Sequence, residues 1–104
     1  MSDAPKETAG KLQWDLFPFD VIEDVVQIYE FGTQKYYKNS WRKGFAYSKI
    51  FSAALRHLFS FFYGMEDIDP ESGKLHIDHA IWNLITLSYM IKNEKGTDDR
   101  MTEE

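Results

Sequence analysis

Three stretches of the chain repeat apolar residues at the spacing of an α-helix, and this pattern limits the fold most. They are residues 19–36, which follow Pro18, residues 47–63 and residues 74–91. Apolar side chains that recur at i, i+3 and i+4 lie on one face of a helix. No stretch sustains the alternation of polar and apolar residues that is typical of a β-strand. The sequence therefore predicts an all-α protein, a small bundle of three main helices.

The second and third segments differ in how much of their surface is apolar. The second is apolar over more than half of its circumference, which is typical of a helix at the centre of a bundle or at a subunit interface. The third is predicted to bury one apolar face, formed by Leu75, Ala80, Ile81, Leu84, Leu87 and Ile91.

The helical domain is predicted to span residues 11–92, between a disordered tail at residues 1–10 and a charged, flexible tail at residues 93–104. A domain of about 80 residues buries only a marginal core. Aromatic residues nevertheless make up 16% of the chain. We therefore expect a homodimer or homotetramer in which a second copy completes the core.

Charge and composition exclude several classes of protein. The net charge of −5 is unsuited to binding duplex nucleic acid. The lack of cysteine excludes disulfide scaffolds, thiolate zinc sites and cysteine nucleophiles. The longest nearly apolar stretch, residues 80–91, is too short to span a bilayer, and no basic and apolar leader opens the chain. We expect a cytoplasmic protein without membrane or nucleic-acid partners.

Side chains suited to metal binding occur in three places. His76 and His79 lie one turn apart on the third segment, and such a pair can ligate one ion or simply form ordinary hydrogen bonds. Glu23 and Asp24 belong to an acidic stripe that suits Mg²⁺ or Mn²⁺, or that is only a solvated helix face. The loop at residues 65–73 carries further carboxylates without the spacing of a calcium loop.

A second group of residues is suited to a nucleotide. Between the first and second segments, cationic residues alternate with aromatic ones. Cations bind phosphate oxygens and flat rings stack on a base, although a surface for an acidic partner is equally consistent with this composition. His57 lies on the apolar side of the second segment, as either a core histidine or a functional ionisable group.

The order of the motifs along the chain is more specific than any one of them. They are residues 10–16 (GKLQWDL), Glu23-Asp24, Phe31-Gly32, Lys35-Tyr36, Asn39, residues 41–44 (WRKG), residues 54–58 (ALRHL), Gly64, residues 66–73 (EDIDPESG), His76, His79-Ala80 and Trp82-Asn83. Over residues 10–92 this order resembles the tailed-phage dATP/dGTP diphosphohydrolase family, whose small helical domain is similar to the MazG-like nucleotide pyrophosphatases.

The resemblance implies hydrolysis of dGTP or dATP to the monophosphate and pyrophosphate with Mg²⁺, Mn²⁺ or Co²⁺, in the host cytoplasm if the protein is phage-encoded. The implied metal ligands are Glu23, Asp24, Asp67, Asp69, His76 and His79. The implied catalytic residues are Glu23, Arg56 and His57. The implied substrate-binding residues are Lys35, Tyr36, Asn39, Trp41, Arg42, Lys43 and Asn83.

The chain departs from the MazG-like pattern, which leaves the number of metal ions and the ligand set open. Gln27 stands where that pattern has a third glutamate, and His76 and His79 stand where it has an acidic pair. These departures also fit a catalytically inactive nucleotide-sensing or host-interaction module. A histidine–aspartate phosphohydrolase that releases triphosphate is a further alternative, but the chain lacks the adjacent His-Asp pair expected of one.

Overall fold

The computed structural model describes residues 4–33 and 38–101 and contains three α-helices. They are α1 (Phe19–Thr33), α2 (Tyr47–Phe62) and α3 (His76–Asn93), with short 3₁₀ helices at Trp14–Leu16 and Ser40–Lys43. Within the described ranges there is no β-strand, only two isolated β-bridges. The all-α prediction is confirmed. Tyr36, where the first helix was predicted to end, lies outside the described residues.

The central helix of the bundle is α3, because both α1 and α2 pack against it. The apolar helix α2 instead leaves Phe51, Phe59 and Phe62 at least half exposed. The structure thus gives α2 no central position, and its alternative place at a subunit interface stays a prediction. In the described part of the chain, no helix is both long and apolar enough to cross a membrane.

The inward face of α3 is more polar than its sequence indicates. Among the described residues, the buried apolar ones are Val25, Ile28, Ile50, Ala54, Ala80 and Met90. The buried polar ones in the same ranges, all on α3, are His76, Asp78, Asn83 and Thr86. Of the apolar face predicted for α3, Ala80 is buried, whereas Leu84 and Ile91 are more than half exposed. The helix therefore turns its polar stripe toward α1 and α2.

The chain after α3 returns to the start of α2. The amide of Thr97 donates to the carbonyl of Phe45 over 3.1 Å, and the amide of Tyr47 donates to the carbonyl of Thr97 over 2.9 Å. The Asp99 carboxylate accepts hydrogen bonds from both the amide and the hydroxyl of Ser48. The prediction of a charged tail from residue 93 did not anticipate these contacts, which hold Phe45 in place.

Candidate functional site

The loop between α2 and α3 folds back on the first turn of α3. The amide of His76 donates to the carbonyl of Asp67 over 2.9 Å, and the amide of Gly73 donates to the carbonyl of Asp69 over 2.8 Å. The Asp69 carboxylate accepts hydrogen bonds from the amide of Glu71 and the hydroxyl of Ser72, both over 3.2 Å. These bonds direct the Asp69 side chain toward α3.

His57 from α2, Asp69 from the loop and His79 from α3 form a cluster, called here the His-Asp cluster. Each offers one potential ligand atom, and these atoms lie within 4.8 Å of one another. The two imidazole rings stack with their centroids 4.4 Å apart and an angle of 7° between their planes. His79 Nε2 lies 3.2 Å from Asp69 Oδ2 and 2.6 Å from the hydroxyl oxygen of Ser72.

His76 lies directly behind the His-Asp cluster. Its Nδ1 is 2.8 Å from Nδ1 of His57, and its Nε2 is 2.6 Å from Oε1 of Glu66. The residue is only 4% exposed. Because both ring nitrogens are engaged in hydrogen bonds, His76 supports His57 in this arrangement. The metal role predicted for His76 stays a prediction.

The surroundings of the His-Asp cluster favour neutral imidazoles beside an ionised carboxylate. Burial lowers the pKa of both His57 and His79. His79 and His76 lower the pKa of His57 further, whereas for His79 the nearby Asp69 opposes the effects of burial and of His76. Burial alone would raise the pKa of Asp69, but hydrogen bonds from Glu71 and Ser72, with the nearby histidines, lower it. Neutral imidazole and carboxylate are the protonation states in which these side chains ligate a metal.

The donor atoms of the His-Asp cluster decide which ion would suit it. Two imidazole nitrogens and one carboxylate oxygen are typical ligands of Mn²⁺, Co²⁺ or Zn²⁺, whereas Mg²⁺ prefers oxygen ligands alone. The lone pair of an imidazole nitrogen lies in the plane of its ring. Because the rings of His57 and His79 are stacked in parallel, their lone pairs do not converge on one point, and one ring must tilt for both to bind the same ion. The residues fit a transition metal with this adjustment.

A cavity of about 620 Å³ opens beside the His-Asp cluster, with His57 and His79 in its wall. Aromatic side chains line much of the rest, and two lysines, Lys43 and Lys49, reach its edge. The aromatic residues of the wall are Tyr29, Phe31, Trp41, Phe45 and Trp82. The cavity thus combines flat apolar surfaces, cations and the His-Asp cluster, which is the chemistry that a nucleotide requires.

The predicted metal ligands fall into separate places. Asp69 and His79 meet in the His-Asp cluster, together with His57, which was predicted to be catalytic. Glu23 is exposed on α1, and Asp24 forms an ion pair with Lys74 over 3.7 Å. Asp67 is exposed and contributes its backbone carbonyl to the loop. Metal binding by Glu23, Asp24 or Asp67 stays a prediction.

The predicted substrate-binding residues are also divided. Those in the cavity wall are Asn39, Trp41, Lys43 and Asn83. The Arg42 guanidinium lies 4.6 Å from the centre of the Trp41 ring, so it is held beside the wall. Arg56 donates to the Ser52 hydroxyl over 3.1 Å on exposed α2 surface and is not among the described lining residues. Lys35 and Tyr36 lie outside the described residues.

Two residues that support the site, Ser72 and Glu66, and the burial of Asp78 on α3 were missed in the sequence. Ser72 contacts both Asp69 and His79, and its position three residues after an aspartate in a Pro-containing turn is a recognisable side-chain turn pattern. Glu66 was noted only as one of several loop carboxylates. Asp78 is 3% exposed, and burial together with nearby Asp24 raises its pKa. No pattern in the sequence indicates that this carboxyl group is buried.

Comparisons with known proteins agree with the resemblance in the motifs. The family described as "dATP/dGTP diphosphohydrolase, N-terminal" matches residues 2–100. A protein of Salmonella phage PMBT28, named dATP/dGTP diphosphohydrolase, is 29% identical over 91 residues, which cover 88% of this chain and 31% of that protein. No solved structure matches. The chain thus spans about a third of that relative's length, and a relation to MazG-like enzymes stays a prediction. The chain belongs to the dATP/dGTP diphosphohydrolase N-terminal domain family.

Proposed function

We propose that the chain hydrolyses purine deoxynucleoside triphosphates, dGTP or dATP, to the monophosphate and pyrophosphate. The observation that carries the proposal is the position of His57 and His79 in the wall of an aromatic cavity edged by lysines. The family and the phage relative, which bears the name of this activity, support the same reaction. Water would form a bond to the α-phosphorus while the bond from that phosphorus to the bridging oxygen breaks.

Each part of the cavity has a role in this proposal. Trp41 offers a ring for the base, and Lys43 and Lys49 offer cations for phosphate oxygens. His57, Asp69 and His79 would hold a divalent ion. When bound, such an ion supplies Lewis-acid polarisation of a phosphoryl oxygen and lowers the pKa of water. Asp69, held by Ser72, fixes the orientation of His79.

The reaction class is tested by incubating the protein with each of the four dNTPs and with Mg²⁺, Mn²⁺ or Co²⁺, followed by ion-exchange chromatography of the products. The proposal predicts purine monophosphate and pyrophosphate, with faster turnover in Mn²⁺ or Co²⁺ than in Mg²⁺. Deoxynucleoside and triphosphate would instead identify the triphosphohydrolase alternative. A stable nucleotide complex without products would identify a nucleotide-sensing module.

Variants connect the activity to the His-Asp cluster. His79→Ala and Asp69→Asn each remove one potential ligand and should reduce turnover about 10- to 100-fold, the usual effect of weakening a metal site. Lys92→Ala is the control, since this exposed lysine lies in the last turn of α3, 13 residues from His79. Full activity of His79→Ala would refute the assignment of the site even if the reaction itself is observed.

A further inference from the structure

Glu66, His76 and His57 form a hydrogen-bonded series that joins the loop, α3 and α2. Glu66 Oε1 lies 2.6 Å from His76 Nε2, and His76 Nδ1 lies 2.8 Å from His57 Nδ1. The middle residue, His76, is 4% exposed, so bulk water has little access to its ring. The series ends at His57, which is the α2 member of the His-Asp cluster.

The carboxylate at one end gives the series a direction. An ionised carboxylate only accepts hydrogen bonds, so Nε2 of His76 must carry the proton that is shared with Glu66. A neutral imidazole that carries its proton on Nε2 has a lone pair on Nδ1 and accepts a hydrogen bond there. The atom 2.8 Å away, Nδ1 of His57, must be the donor. His57 is thereby left with its lone pair on Nε2.

We propose that Glu66 acts through His76 to fix His57 in the tautomer with the proton on Nδ1, which leaves Nε2 free to ligate the ion of the His-Asp cluster. This inference deepens the proposed function and rests on it for the role of the ion. Glu66 is a positioning residue, since it touches His76 and not the His-Asp cluster itself. In this inference His57 is a metal ligand, whereas the sequence predicted it to be a catalytic residue.

The tautomers can be read directly from the protein without a metal. Long-range ¹H–¹⁵N correlation spectra at neutral pH distinguish the two neutral forms of imidazole from imidazolium. The chain has only three histidines, so His57→Gln, His76→Gln and His79→Gln assign every signal. The inference predicts a proton on Nε2 of His76 and on Nδ1 of His57. A proton on Nε2 of His57, or an imidazolium at His76, would overturn it.

Metal affinity then tests what the tautomer does. Glu66→Ala should weaken Mn²⁺ binding, measured by calorimetry, about 10- to 100-fold, the usual effect of losing the partner of a metal-ligating histidine. Glu66→Gln should retain most of the affinity, because its amide oxygen also accepts from Nε2 of His76. Glu30→Ala, which removes an exposed glutamate of α1, is the charge-matched control and should bind as the parent protein does.

The two experiments separate failure of this inference from failure of the proposed function. If the parent protein binds no Mn²⁺, Co²⁺ or Zn²⁺, the metal part of the proposed function is wrong, and the tautomer spectra still decide the direction of the series. If the parent protein binds Mn²⁺ and folded Glu66→Ala binds it equally well, the positioning role of Glu66 is wrong while the metal site stands. Spectra of the variants confirm that each has folded.

Discussion

Two histidines from different helices face each other in the wall of the cavity, and their partial burial has a chemical consequence. Burial lowers the pKa of His57 and of His79, and the nearby ring of His76 lowers both further. Ser72 and Asp69 hold one ring, and His76 holds the other. Part of the small buried interior is thus occupied by neutral, oriented imidazoles and not by apolar side chains.

Asn83 is a buried polar residue of α3 that lies in the wall of the cavity. Its Nδ2 donates to the carbonyl of His79 over 2.8 Å, which fixes the orientation of the amide. Its buried Oδ1 has no hydrogen-bond partner in the described part of the chain. An unpaired buried acceptor costs about 1–3 kcal/mol. Asn83→Leu should therefore keep or raise the melting temperature.

The same variant should bind substrate less well if Oδ1 accepts a hydrogen bond from the purine, since Asn83 lies in the cavity wall. We expect KM for dGTP or dATP to rise about tenfold, the effect of losing about 1.4 kcal/mol. The measurement pairs a thermal melt with steady-state kinetics. A fall in stability with unchanged KM would contradict the prediction and assign Asn83 a purely structural role.

At the scale of the helices, periodicity predicted where the elements lie better than which face of each is buried. All three helices were predicted within a few residues of their bounds, since local spacing determines helix formation. The inward face of α3 was not, because Leu84 and Ile91 lie outside while Asn83 and Thr86 lie inside. Burial of Thr86 depends on its hydrogen bond with Tyr29 of α1, 57 residues away, which no local pattern encodes.

The candidate site was predictable to a similar degree. The types of residue were recognisable, and Asp69 and His79 do meet. That His57 joins Asp69 and His79 was not predictable, because this contact depends on how α2 packs against α3 and on how the loop folds. Ser72 and Glu66 enter the site through that loop as well. Distances between elements follow from tertiary packing, which spacing along the chain does not specify.

The start of α2 carries a prediction about stability. The N-cap residue of α2, Ala46, makes no side-chain hydrogen bond to the first turn of the helix. The Asp99 carboxylate, near the end of the chain, accepts hydrogen bonds from Ser48 in that turn instead. Hydrogen bonds from the Ser48 hydroxyl and amide lower the pKa of Asp99 below its ordinary value near 3.8. A carboxylate with a lowered pKa stabilises the fold above its unfolded pKa and loses this effect as pH falls through its folded pKa.

Asp99→Ala should accordingly melt at a lower temperature than the parent protein at pH 7, and the two melting temperatures should converge as pH falls below about 4. Glu30→Ala is the control, since this exposed carboxylate lies on α1 and not at the start of α2. Thermal melts by circular dichroism across pH provide the measurement. A difference that persists unchanged at pH 2.5 would contradict the capping role.

The contact between the end of the chain and the start of α2 leaves no room for a side chain at Gly44, whereas Gly32 on α1 has open space around it. Gly44 has a φ of +93°, and a Cβ there would lie 2.3 Å from the amide nitrogen of Gly96. Gly44→Ala should destabilise the fold by more than about 1–3 kcal/mol, since steric overlap adds to backbone strain. Gly32→Ala should stabilise α1 by about 0.5–1 kcal/mol, because open space surrounds that helical position. Urea titrations measure both, and equal effects would contradict the packing described.

Considered as a whole, the molecule leaves much apolar surface uncovered. Only six apolar residues are buried among those described, whereas large side chains on α2 and α3 are exposed. The exposed apolar residues of these two helices are Phe51, Leu58, Phe59, Phe61, Phe62, Leu84, Ile85 and Ile91. We propose that a second copy of the chain covers the outer face of α2, which agrees with the oligomer expected from composition.

Light scattering after gel filtration tests this proposal. The chain has a mass of 12.3 kDa, and we expect at least twice that value at micromolar concentration. Phe62→Glu, at a side chain that is 70% exposed, should shift the mass toward the monomer, because burying an unpaired carboxylate is costly. Thr8→Glu, which adds the same charge far from α2 in sequence, is the control. A parent protein of 12.3 kDa at every concentration would contradict the proposal.

Whether the His-Asp cluster supports cleavage of a purine deoxynucleoside triphosphate is tested most directly by ³¹P NMR. In this experiment dGTP is turned over with Mn²⁺ in ¹⁸O-labelled water, and the nucleotides are separated from Mn²⁺ before detection. Cleavage by water at the α-phosphorus predicts pyrophosphate and dGMP, with ¹⁸O on dGMP, and loss of both signals in His79→Ala. Label in pyrophosphate, release of triphosphate, or equal turnover by His79→Ala and the parent protein would contradict it.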